Sequence, residues 1–346
     1  MRILVTGGAG FIGSHVVDAY VRLGHEVAVL DDLSRGLHQN LNPRAHFYSA
    51  DIQDAESLAR VFSEVRPEVV NHHAAQMDVR RGVREPVFDA KVNILGSLNL
   101  LEAAVRHQTR HIVYISTAGA AYGEPKELPV REDHPINPIT PYGVSKHAAE
   151  HYFYTFAYLY GISYVVLRYG NVYGPRQSSQ GEAGVFAIFS EQMLAGIQPT
   201  IYGDGTKVRD YVYIDDVADA NVAALDRGTG EIFNIASGVS TTDAEVFRLV
   251  RDLLGKNGAE PRYAQKRPGE IDKIWLDVSK ARRLLAWNPQ VHLPEGARRT
   301  VKYFREITQH ETSGAGPRLS GPADEPNAVA RRHLHARPRT GLRGEI

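Results

Sequence analysis

Cysteine is absent from the 346-residue chain, which also lacks an excess of either charge and any long apolar run. Without cysteine the chain forms no disulfide, thiolate metal site or cysteine nucleophile. Lysine plus arginine and aspartate plus glutamate both number 40, so nothing predicts a general attraction to nucleic acid or an anionic membrane. No run reaches the ~18 apolar residues that cross a bilayer, and Met1 and Arg2 lead directly into an apolar segment without a leader-like stretch. We therefore expect a cytoplasmic protein that binds neither nucleic acid nor membrane.

Short β-branched runs alternate with helical stretches along the first 170 residues. Several runs are almost continuously apolar, as in parallel strands covered on both faces. This alternation predicts an α/β fold with a doubly wound parallel sheet, whose ligands bind at the carboxyl ends of the strands. The predicted strands are 2–6, 26–31, 46–50, 68–74, 111–117 and 163–169, and the predicted helices lie near 11–23, 54–65, 86–107 and 142–160.

The regular alternation ends after Gly170. Loops such as Gly203-Asp204-Gly205 then separate shorter elements, with helical stretches near 184–196, 214–226 and 242–254. We expect residues 1–170 to form a dinucleotide-binding domain and residues 171–310 a smaller, mixed substrate-binding lid interleaved with it. From 311 onward periodicity gives way to Gly, Pro, Ser and Arg, so 311–346 is predicted to be a disordered tail. Its arginines could bind an anion weakly, but a solvated tail is the favoured interpretation.

A glycine-rich loop follows the first predicted strand and opens the first helix, with the sequence TGGAGFIG at 6–13. Gly7 permits a tight turn, Gly10 lets the backbone approach a pyrophosphate, and Gly13 lets helix and strand pack closely. The N–H groups at the start of the helix, near Phe11 and Ile12, then face the phosphates. This context predicts a Rossmann-type dinucleotide site.

Asp31 indicates which dinucleotide is bound. It ends the second predicted strand at about the ~20-residue offset where a carboxylate accepts hydrogen bonds from the adenosine ribose. Because a carboxylate repels a 2′-phosphate, Asp31 favours NAD over NADP, although the nearby Arg35 argues for caution. The other predicted cofactor contacts lie at later strand ends and on the following helices: Asp32, Asp51, Ile52, His73, Ala74, Ala75, Gln76, Asn93, Tyr142, Lys146 and Tyr169.

The adjacent His72 and His73 also suggest a metal site. No carboxylate or third histidine lies at ligand spacing nearby, and neighbouring strand residues point to opposite faces. A structural role is therefore favoured, and no metal site is predicted.

Tyr142 and Lys146 lie four residues apart at the start of the helix after the fifth predicted strand, so they share one helical face. A free phenol titrates near ~10, but a nearby ammonium and a positive cofactor ring would lower its pKa. We expect Tyr142 to act as a base with Lys146 beside it. A hydroxyl at the end of strand five, on Ser116 or Thr117, would hydrogen-bond the reacting substrate oxygen.

These motifs resemble the extended short-chain dehydrogenases/reductases over roughly residues 1–308. Within that group the chain is most similar to UDP-glucose 4-epimerases, through NHHAA at 71–75, RYGNVYGP at 168–175, IYGDG at 201–205, VRDY at 208–211 and RPGE at 267–270. The resemblance implies that Asn171, Arg209 and Arg267 hold a sugar nucleotide, with the arginines on its phosphates, where a guanidinium binds bidentately. Further implied substrate contacts are Thr117, Tyr142 and Glu270. Arg209 and Arg267 could instead be ordinary surface cations.

One departure from the family pattern concerns the catalytic hydroxyl. The family usually has Ser-Ser/Thr, three residues and Tyr-Gly, whereas the stretch between Ser116 and Tyr122 contains one residue more. Counting back from Tyr122 puts Ala118 at the hydroxyl position, and counting along the strand puts Thr117 there. We predict Thr117, with Ser116 as the alternative, because a loop absorbs an extra residue more easily than a strand.

The resemblance also implies a reaction, the interconversion of UDP-glucose and UDP-galactose by reversible oxidation at C4 with tightly bound NAD. A 4,6-dehydratase would need an acid–base pair that the family places where this chain has Ala118 and Gly119. Another nucleotide-sugar epimerase or a decarboxylase remains an alternative. A non-catalytic NAD-sensing regulator is disfavoured, because such a protein would be expected to lose Tyr142 and Lys146.

Two further expectations concern a subunit interface and the substrate. Residues 151–160 are apolar and aromatic nearly all round a helix, which requires burial on more than one side. In the family this helix and the one near 86–107 pair across a two-fold axis, so we expect a homodimer.

Ile274 aligns with the position that gates room for an N-acetyl group at C2, although a slip of one residue would put Lys273 there. A stiff β-branched isoleucine favours UDP-glucose and UDP-galactose.

Overall fold

The computed structural model describes residues 1–179, 184–267 and 270–312. The predicted tail at 311–346 lies outside these residues except for its first two, which belong to the last helix, Leu293–Thr312. None of the helices in this part of the chain is both long and apolar enough to cross a membrane.

Seven parallel strands form the central sheet. In the described residues the strands are β1 (Arg2–Thr6), β2 (Glu26–Asp31), β3 (His46–Ser49), β4 (Val69–His72), β5 (His111–Thr117), β6 (Ser163–Tyr169), β7 (Asn171–Tyr173), β8 (Thr200–Tyr202), β9 (Val208–Tyr213), β10 (Ile232–Ile235), β11 (Ser240–Thr242) and β12 (Arg262–Ala264). The order across the central sheet is β10-β6-β5-β4-β1-β2-β3. The predicted doubly wound parallel sheet is confirmed, with β3 and β4 shorter than expected.

Helices cover both faces of this sheet. In the described residues they are α1 (Phe11–Arg22), α2 (Ala55–Val65), α3 (Val79–Arg84), α4 (Pro86–Ala90), α5 (Gly96–Arg106), α6 (Gly119–Tyr122), α7 (Pro141–Tyr160), α8 (Val185–Leu194), α9 (Ile214–Ala223), α10 (Asp243–Leu253), α11 (Ser279–Leu284) and α12 (Leu293–Thr312). The helix predicted near 86–107 is confirmed: α4 passes into α5 through a π-helical turn at Lys91–Leu95, with helical backbone at both junctions.

Local sequence explains where α7, the helix that carries Tyr142 and Lys146, begins and ends. The Thr140 side chain accepts a hydrogen bond from the Gly143 N–H, and Pro141 occupies the first turn, where its missing N–H has no consequence. Gly161 ends the helix with a φ of +73°, a left-handed conformation that suits glycine. These signals set the two ends of α7.

The second half of the chain builds a smaller mixed region. β11-β9-β7 and β12-β8 form two small sheets, with β11 antiparallel and β7 parallel to β9. However, β10 joins the central sheet beside β6, and α9 packs on α1, where the Tyr20 hydroxyl donates to the Asn221 carbonyl. The two halves of the sequence are therefore interleaved in space.

Candidate active site

The glycine-rich loop between β1 and α1 leaves no room for side chains. Gly7 has a φ of +68°, and a Cβ there would lie 2.7 Å from the Ala74 amide nitrogen. A Cβ on Gly13 would overlap the Gly7 carbonyl, and one on Gly10 would lie 3.2 Å from the same oxygen. Gly10 is also the N-cap of α1 and has no side chain to accept from the first helical N–H groups. This backbone cradle at a helix N-terminus fits a pyrophosphate.

Asp31 lies beside this cradle at the carboxyl end of β2. Its carboxylate accepts hydrogen bonds from the Ala9 N–H at 3.0 Å and the Leu33 N–H at 2.9 Å. Burial raises the pKa of Asp31, and the two backbone hydrogen bonds oppose that shift. Arg35, the residue that argued for caution about NAD, forms an ion pair with Asp78 at 3.3 Å. The geometry thus leaves Asp31 as the acidic group at the predicted ribose position.

Asp32, Asp51 and Ile52 lie at the same edge of the sheet but are tied into local turns or the core. Asp32 accepts hydrogen bonds from the backbone and hydroxyl of Ser34, and Asp51 accepts from the backbone and side chain of Gln53. Ile52 is buried. Any contact of these three residues with a cofactor therefore stays a prediction.

The segment 73–76 crosses the sheet edge after β4 and is fixed by Asn93. The Gln76 N–H donates to Asn93 Oδ1 at 2.8 Å, and Asn93 Nδ2 donates to the Gln76 carbonyl at 3.0 Å. His73 Nε2 is buried and has no hydrogen-bond partner within the described structure. Burial lowers the pKa of His73 to about 3, assisted by the charge of Lys146, so its imidazole is neutral. A neutral, unpartnered imidazole beside the small residues Ala74 and Ala75 fits a bound ligand.

His72 and Tyr169 instead make hydrogen bonds with other side chains inside the protein. Both ring nitrogens of His72 have partners, Thr6 Oγ1 at 2.7 Å and Ser97 Oγ at 3.0 Å. The Tyr169 hydroxyl accepts from Asn221 Nδ2 at 2.6 Å. Across the described residues, no three His, Cys, Asp or Glu side chains are grouped so as to hold a metal ion. The hydrogen bonds of His72 support the structural interpretation for that histidine.

Thr117, Tyr142 and Lys146 converge where β5 ends and α7 begins. The side chains of Thr117 and Tyr142 are hydrogen-bonded to each other. Lys146 is 4% exposed, and its Nζ lies 4.4 Å from the centroid of the Tyr114 ring. The structure thus brings the three predicted catalytic side chains to one place.

The pKa of Tyr142 departs from the sequence-based expectation. Burial raises the pKa of Tyr142 to about 12, and the Asp89 carboxylate adds to the rise, while the hydrogen bond with Thr117 opposes it. Burial also lowers the pKa of Lys146 to about 7, although Glu150 and Asp89 oppose that shift. The predicted lowering of the Tyr142 pKa is therefore wrong for the protein alone, because burial outweighs any effect of the ammonium.

Ser116 does not join this group. Its hydroxyl donates to Glu150 Oε1 at 2.6 Å, and the same carboxylate is paired with the buried Arg168, at 2.5 Å from Nη2. Ala118 follows the last residue of β5 and donates its N–H to the Tyr169 carbonyl. The added residue is therefore accommodated after β5, next to the short helix α6, and the strand register leaves Thr117 facing Tyr142.

A small cavity opens beside Thr117, between the sheet and the lid. Asn171, one of the predicted substrate residues, lines it, and so does Ile274, which is 3% exposed. Lys273 is exposed outside it, so the geometry favours Ile274 over Lys273 as the gate. The complete lining is Ala118, Gly119, Gly170, Asn171, Asp210, Ile274 and Leu276.

Asp210 lies in this lining, although sequence reasoning gave it no role. Its carboxylate accepts four hydrogen bonds, from the Ser237 N–H and hydroxyl, the Gly238 N–H and the Leu276 N–H. Burial raises its pKa, and these bonds oppose the shift. Asp210 thus joins β9, the loop after β10 and the Ile274 segment into one wall. Its place within VRDY was a signal that could have identified it.

In the lid, Arg267 pairs with Glu270, and Arg209 on β9 contacts the Asp272 carbonyl. The guanidinium of Arg267 stacks 3.5 Å from the centroid of the Tyr202 ring, and its Nη1 lies 3.9 Å from Glu270 Oε1. Lys207 Nζ contacts the same carboxylate at 2.8 Å. Arg209 Nη1 donates to the Val208 carbonyl at 2.8 Å. Tyr202, which sequence reasoning also missed, gives Arg267 a flat platform.

The parallel sheet, the glycine cradle and the Thr117–Tyr142–Lys146 group define an extended short-chain dehydrogenase/reductase. Residues 3–236 match the NAD dependent epimerase/dehydratase family. Since this match covers more than half of the sequence, the chain belongs to the NAD dependent epimerase/dehydratase family.

Close relatives within this family are UDP-glucose 4-epimerases. The chain is 44% identical over 315 residues to that of Mycolicibacterium smegmatis, with 89% of this chain and 100% of the relative covered. The Thermotoga maritima UDP-glucose 4-epimerase, solved with UDP-glucose, is 50% identical with a TM-score of 0.87, covering 89% of this chain and 100% of that one. The Thermus thermophilus UDP-glucose 4-epimerase, solved with NAD, is 45% identical with a TM-score of 0.84, covering 88% and 99%.

Proposed function

We propose that the chain interconverts UDP-glucose and UDP-galactose by epimerisation at C4, with NAD as a tightly bound cofactor. The observation that carries this proposal is the grouping of Thr117 and Tyr142 with the buried Lys146 at the carboxyl ends of the strands, where the glycine cradle also lies. The names of the relatives support the same activity. Such an enzyme would serve galactose metabolism and, as the sequence led us to expect, act in the cytoplasm.

The residues present fit NAD. The cradle of Gly7, Gly10 and Gly13 would hold the diphosphate, and Asp31 would accept from the adenosine ribose. The unpartnered His73 imidazole and the fixed segment after β4 would line the opposite end of the cofactor. When bound, NAD supplies a reversible two-electron acceptor for C4 and a positively charged ring.

Tyr142 would move the proton and Thr117 would orient the reacting oxygen. The phenol oxygen exchanges a proton with the C4 hydroxyl of the hexose, while the Thr117 hydroxyl, already hydrogen-bonded to Tyr142, fixes the direction of that oxygen. A phenol with a pKa of about 12 is mostly protonated at neutral pH, so positive charge is needed nearby to release its proton. That pKa already includes the effect of Lys146, four residues later on the same face of α7, so the further positive charge would come from the ring of bound NAD.

The lid would anchor the diphosphate of the substrate. Epimerisation requires the hexose to present both faces of C4 to the same tyrosine, so the sugar must turn while the nucleotide stays bound. Arg209 and Arg267 are suited to this role, because guanidinium groups grip phosphate oxygens bidentately. Glu270 pairs with Arg267, and Asn171 lines the small cavity next to Ala118 at the end of β5.

The rival activities lack supporting residues. A 4,6-dehydratase would need an acid–base pair where the cavity is lined by Ala118 and Gly119. Another nucleotide-sugar epimerase or a decarboxylase is the remaining enzyme alternative. A non-catalytic NAD sensor would have no need for a buried lysine beside a hydrogen-bonded Thr–Tyr pair.

The test is to mix the purified protein with UDP-galactose and to assay for UDP-glucose without added cofactor. We expect conversion to an equilibrium mixture, together with one NAD per chain released on denaturation. No conversion of either UDP-hexose by protein that carries NAD would refute the proposed function. A 4-keto-6-deoxy product would favour the dehydratase.

We further propose a homodimer formed by α7 and α5 with the turn before it. Large apolar side chains on these elements face solvent, among them Tyr158 at 80%, Leu159 at 60% and Leu95 at 52% exposure. Several large exposed apolar side chains on neighbouring elements favour an interface between subunits. Sedimentation at micromolar concentration should give a dimer. Leu159→Asp should shift the population to monomer, and a wild-type monomer under those conditions would contradict the proposal.

A further inference from the structure

Asp89 is a buried carboxylate to which no sequence motif assigned a role. It is the next-to-last residue of α4 and is 1% exposed. Its Oδ1 accepts from the Ser145 hydroxyl at 2.5 Å, and its Oδ2 accepts from the Gln76 side-chain amide at 2.9 Å. Ser145 immediately precedes Lys146 in α7, and Gln76 ends the segment proposed to line the cofactor. One carboxylate therefore contacts both the catalytic helix and the cofactor side of the site.

The hydrogen bonds around Asp89 form a closed ring in which the carboxylate accepts from two sides. Asn93 Nδ2 donates to Ser145 Oγ at 3.0 Å, which leaves the Ser145 proton free to bind Asp89. Asn93 also pairs with the backbone of Gln76, whose side chain returns to Asp89. Asn93 reaches this ring from the π-helical turn after α4, the kind of irregularity often found at functional sites. The ring fixes the first turns of α7.

The charges around Tyr142 and Lys146 come from four elements. Asp89 acts in the same direction on both groups, since it raises the pKa of Tyr142 and opposes the burial that lowers the pKa of Lys146. The groups facing the pair are Asp89 from α4, Glu150 from α7, Tyr114 from β5, and His72 and His73 at the end of β4. Because both histidines are neutral, Asp89 and Glu150 are the negative charges among them.

We propose that Asp89 is a positioning residue for epimerisation: its carboxylate sets the pH range in which Tyr142 and Lys146 work and, through Ser145, their placement against the cofactor segment. This inference rests on the proposed function. Glu150 opposes the lowering of the Lys146 pKa more strongly than Asp89 does, but it is paired with Arg168, and it is Asp89 rather than Glu150 that raises the pKa of Tyr142. Asp89 has no arginine or lysine partner among the described ion pairs, so its charge acts on the catalytic pair.

A purely structural Asp89 would behave differently. If it only joined α4 to α7, its loss would lower stability and total activity without moving the pH dependence. If its charge acts on Tyr142 and Lys146, removal of that charge makes both groups lose their protons at lower pH. Both limbs of the profile of kcat against pH should then move to lower pH.

The experiment compares Asp89→Asn with Ser145→Ala in the protein as purified with its cofactor. Asp89→Asn keeps the size of the side chain and removes the charge, whereas Ser145→Ala removes the link and keeps the charge. We expect Asp89→Asn to move the kcat midpoints down by about one pH unit, the scale of one neighbouring charge. KM for UDP-galactose should stay within about threefold, because the lid is not touched. Ser145→Ala should lower kcat with the midpoints unchanged, and Glu306→Gln, an exposed acidic position, should change neither.

Unchanged midpoints in a folded Asp89→Asn variant would overturn the inference, and so would an equal shift in Ser145→Ala.

A second experiment needs no substrate. The ultraviolet titration of each variant is compared with that of the same variant carrying Tyr142→Phe, and the difference is the signal of the Tyr142 phenolate. If wild type fails to convert UDP-galactose, the proposed function fails, while a lower phenolate midpoint in Asp89→Asn would still support the charge effect. An unchanged phenolate midpoint would overturn it. Thermal unfolding of each variant identifies loss of folding.

Discussion

The two sides of the candidate active site are built differently. On the sheet side, Lys146 and Asp89 are 4% and 1% exposed, and hydrogen bonds fix the elements around them. On the lid side, the side chains of Arg267 and Glu270 are 28% and 24% exposed, and they pair with each other. Buried groups keep one geometry, whereas half-exposed cations can exchange a carboxylate for a phosphate. We therefore propose that proton transfer takes place on the sheet side and substrate retention on the lid side, so substitutions should separate kcat from KM.

The sharpest test of the sheet side is Tyr142→Phe, which removes only the phenolic oxygen. General base catalysis contributes roughly 10²–10⁴-fold, so kcat should fall by at least that range. The NAD released on denaturation and the affinity for UDP should change little. Tyr263→Phe, an exposed tyrosine on β12, is the matched control. If the Tyr142→Phe enzyme keeps a kcat within about threefold of wild type, Tyr142 is not the catalytic base.

Arg267→Ala tests the lid side. Hydrogen bonds to charged groups contribute about 1.5–3 kcal/mol, so KM for UDP-galactose should rise by about 10- to 100-fold while kcat changes little. Arg267→Lys should recover only part of the loss, because an ammonium cannot form the bidentate fork or the same stack on Tyr202. Arg248→Ala, on an exposed part of α10, serves as the control. A fall in kcat with KM unchanged would contradict the assignment of substrate binding to the lid.

Asp31→Asn tests cofactor choice on the sheet side with a smaller expected effect. The substitution keeps the shape of the side chain and removes its negative charge, so the preference for NAD over NADP should fall by about tenfold, on the scale of one lost charge contact. Binding of each dinucleotide to the stripped protein measures this ratio. The NAD assignment would be wrong if the purified wild-type protein carried NADP.

The smallest effect is expected at Ile274, in the lid wall of the cavity. Ile274→Ser should raise kcat/KM for UDP-N-acetylgalactosamine relative to UDP-galactose by about three- to tenfold, because pocket volume changes of this size discriminate weakly. Equal use of both sugars by wild type, or no gain in the variant, would show that Ile274 is not the gate. Lys273→Ser is the control for the alternative alignment.

Most of the site features that could be predicted from the sequence are motifs whose residues lie a few positions apart. The glycine loop and the Tyr142–Lys146 pair depend on residues within one turn, so their placement was predictable. The choice between Ser116 and Thr117 needed the strand register, which sends their side chains to different partners. Asp89 could not be found in this way, because it meets Ser145 across 56 residues of sequence. The pKa of Tyr142 was mispredicted for a similar reason, since burial is a property of the assembled fold.

The position of β10 also has a consequence for the making of the protein on the ribosome. β10 covers the outer edge of β6, with Ile235 opposite Tyr169, yet it follows β6 by 66 residues (235 − 169). At about 5–20 residues per second, synthesis of that interval takes roughly 3–13 s. During this time β6 offers a row of free backbone donors and acceptors to any other strand. Pairing of β6 with a strand of another chain is therefore a hazard that lasts until residue 235 has been synthesised.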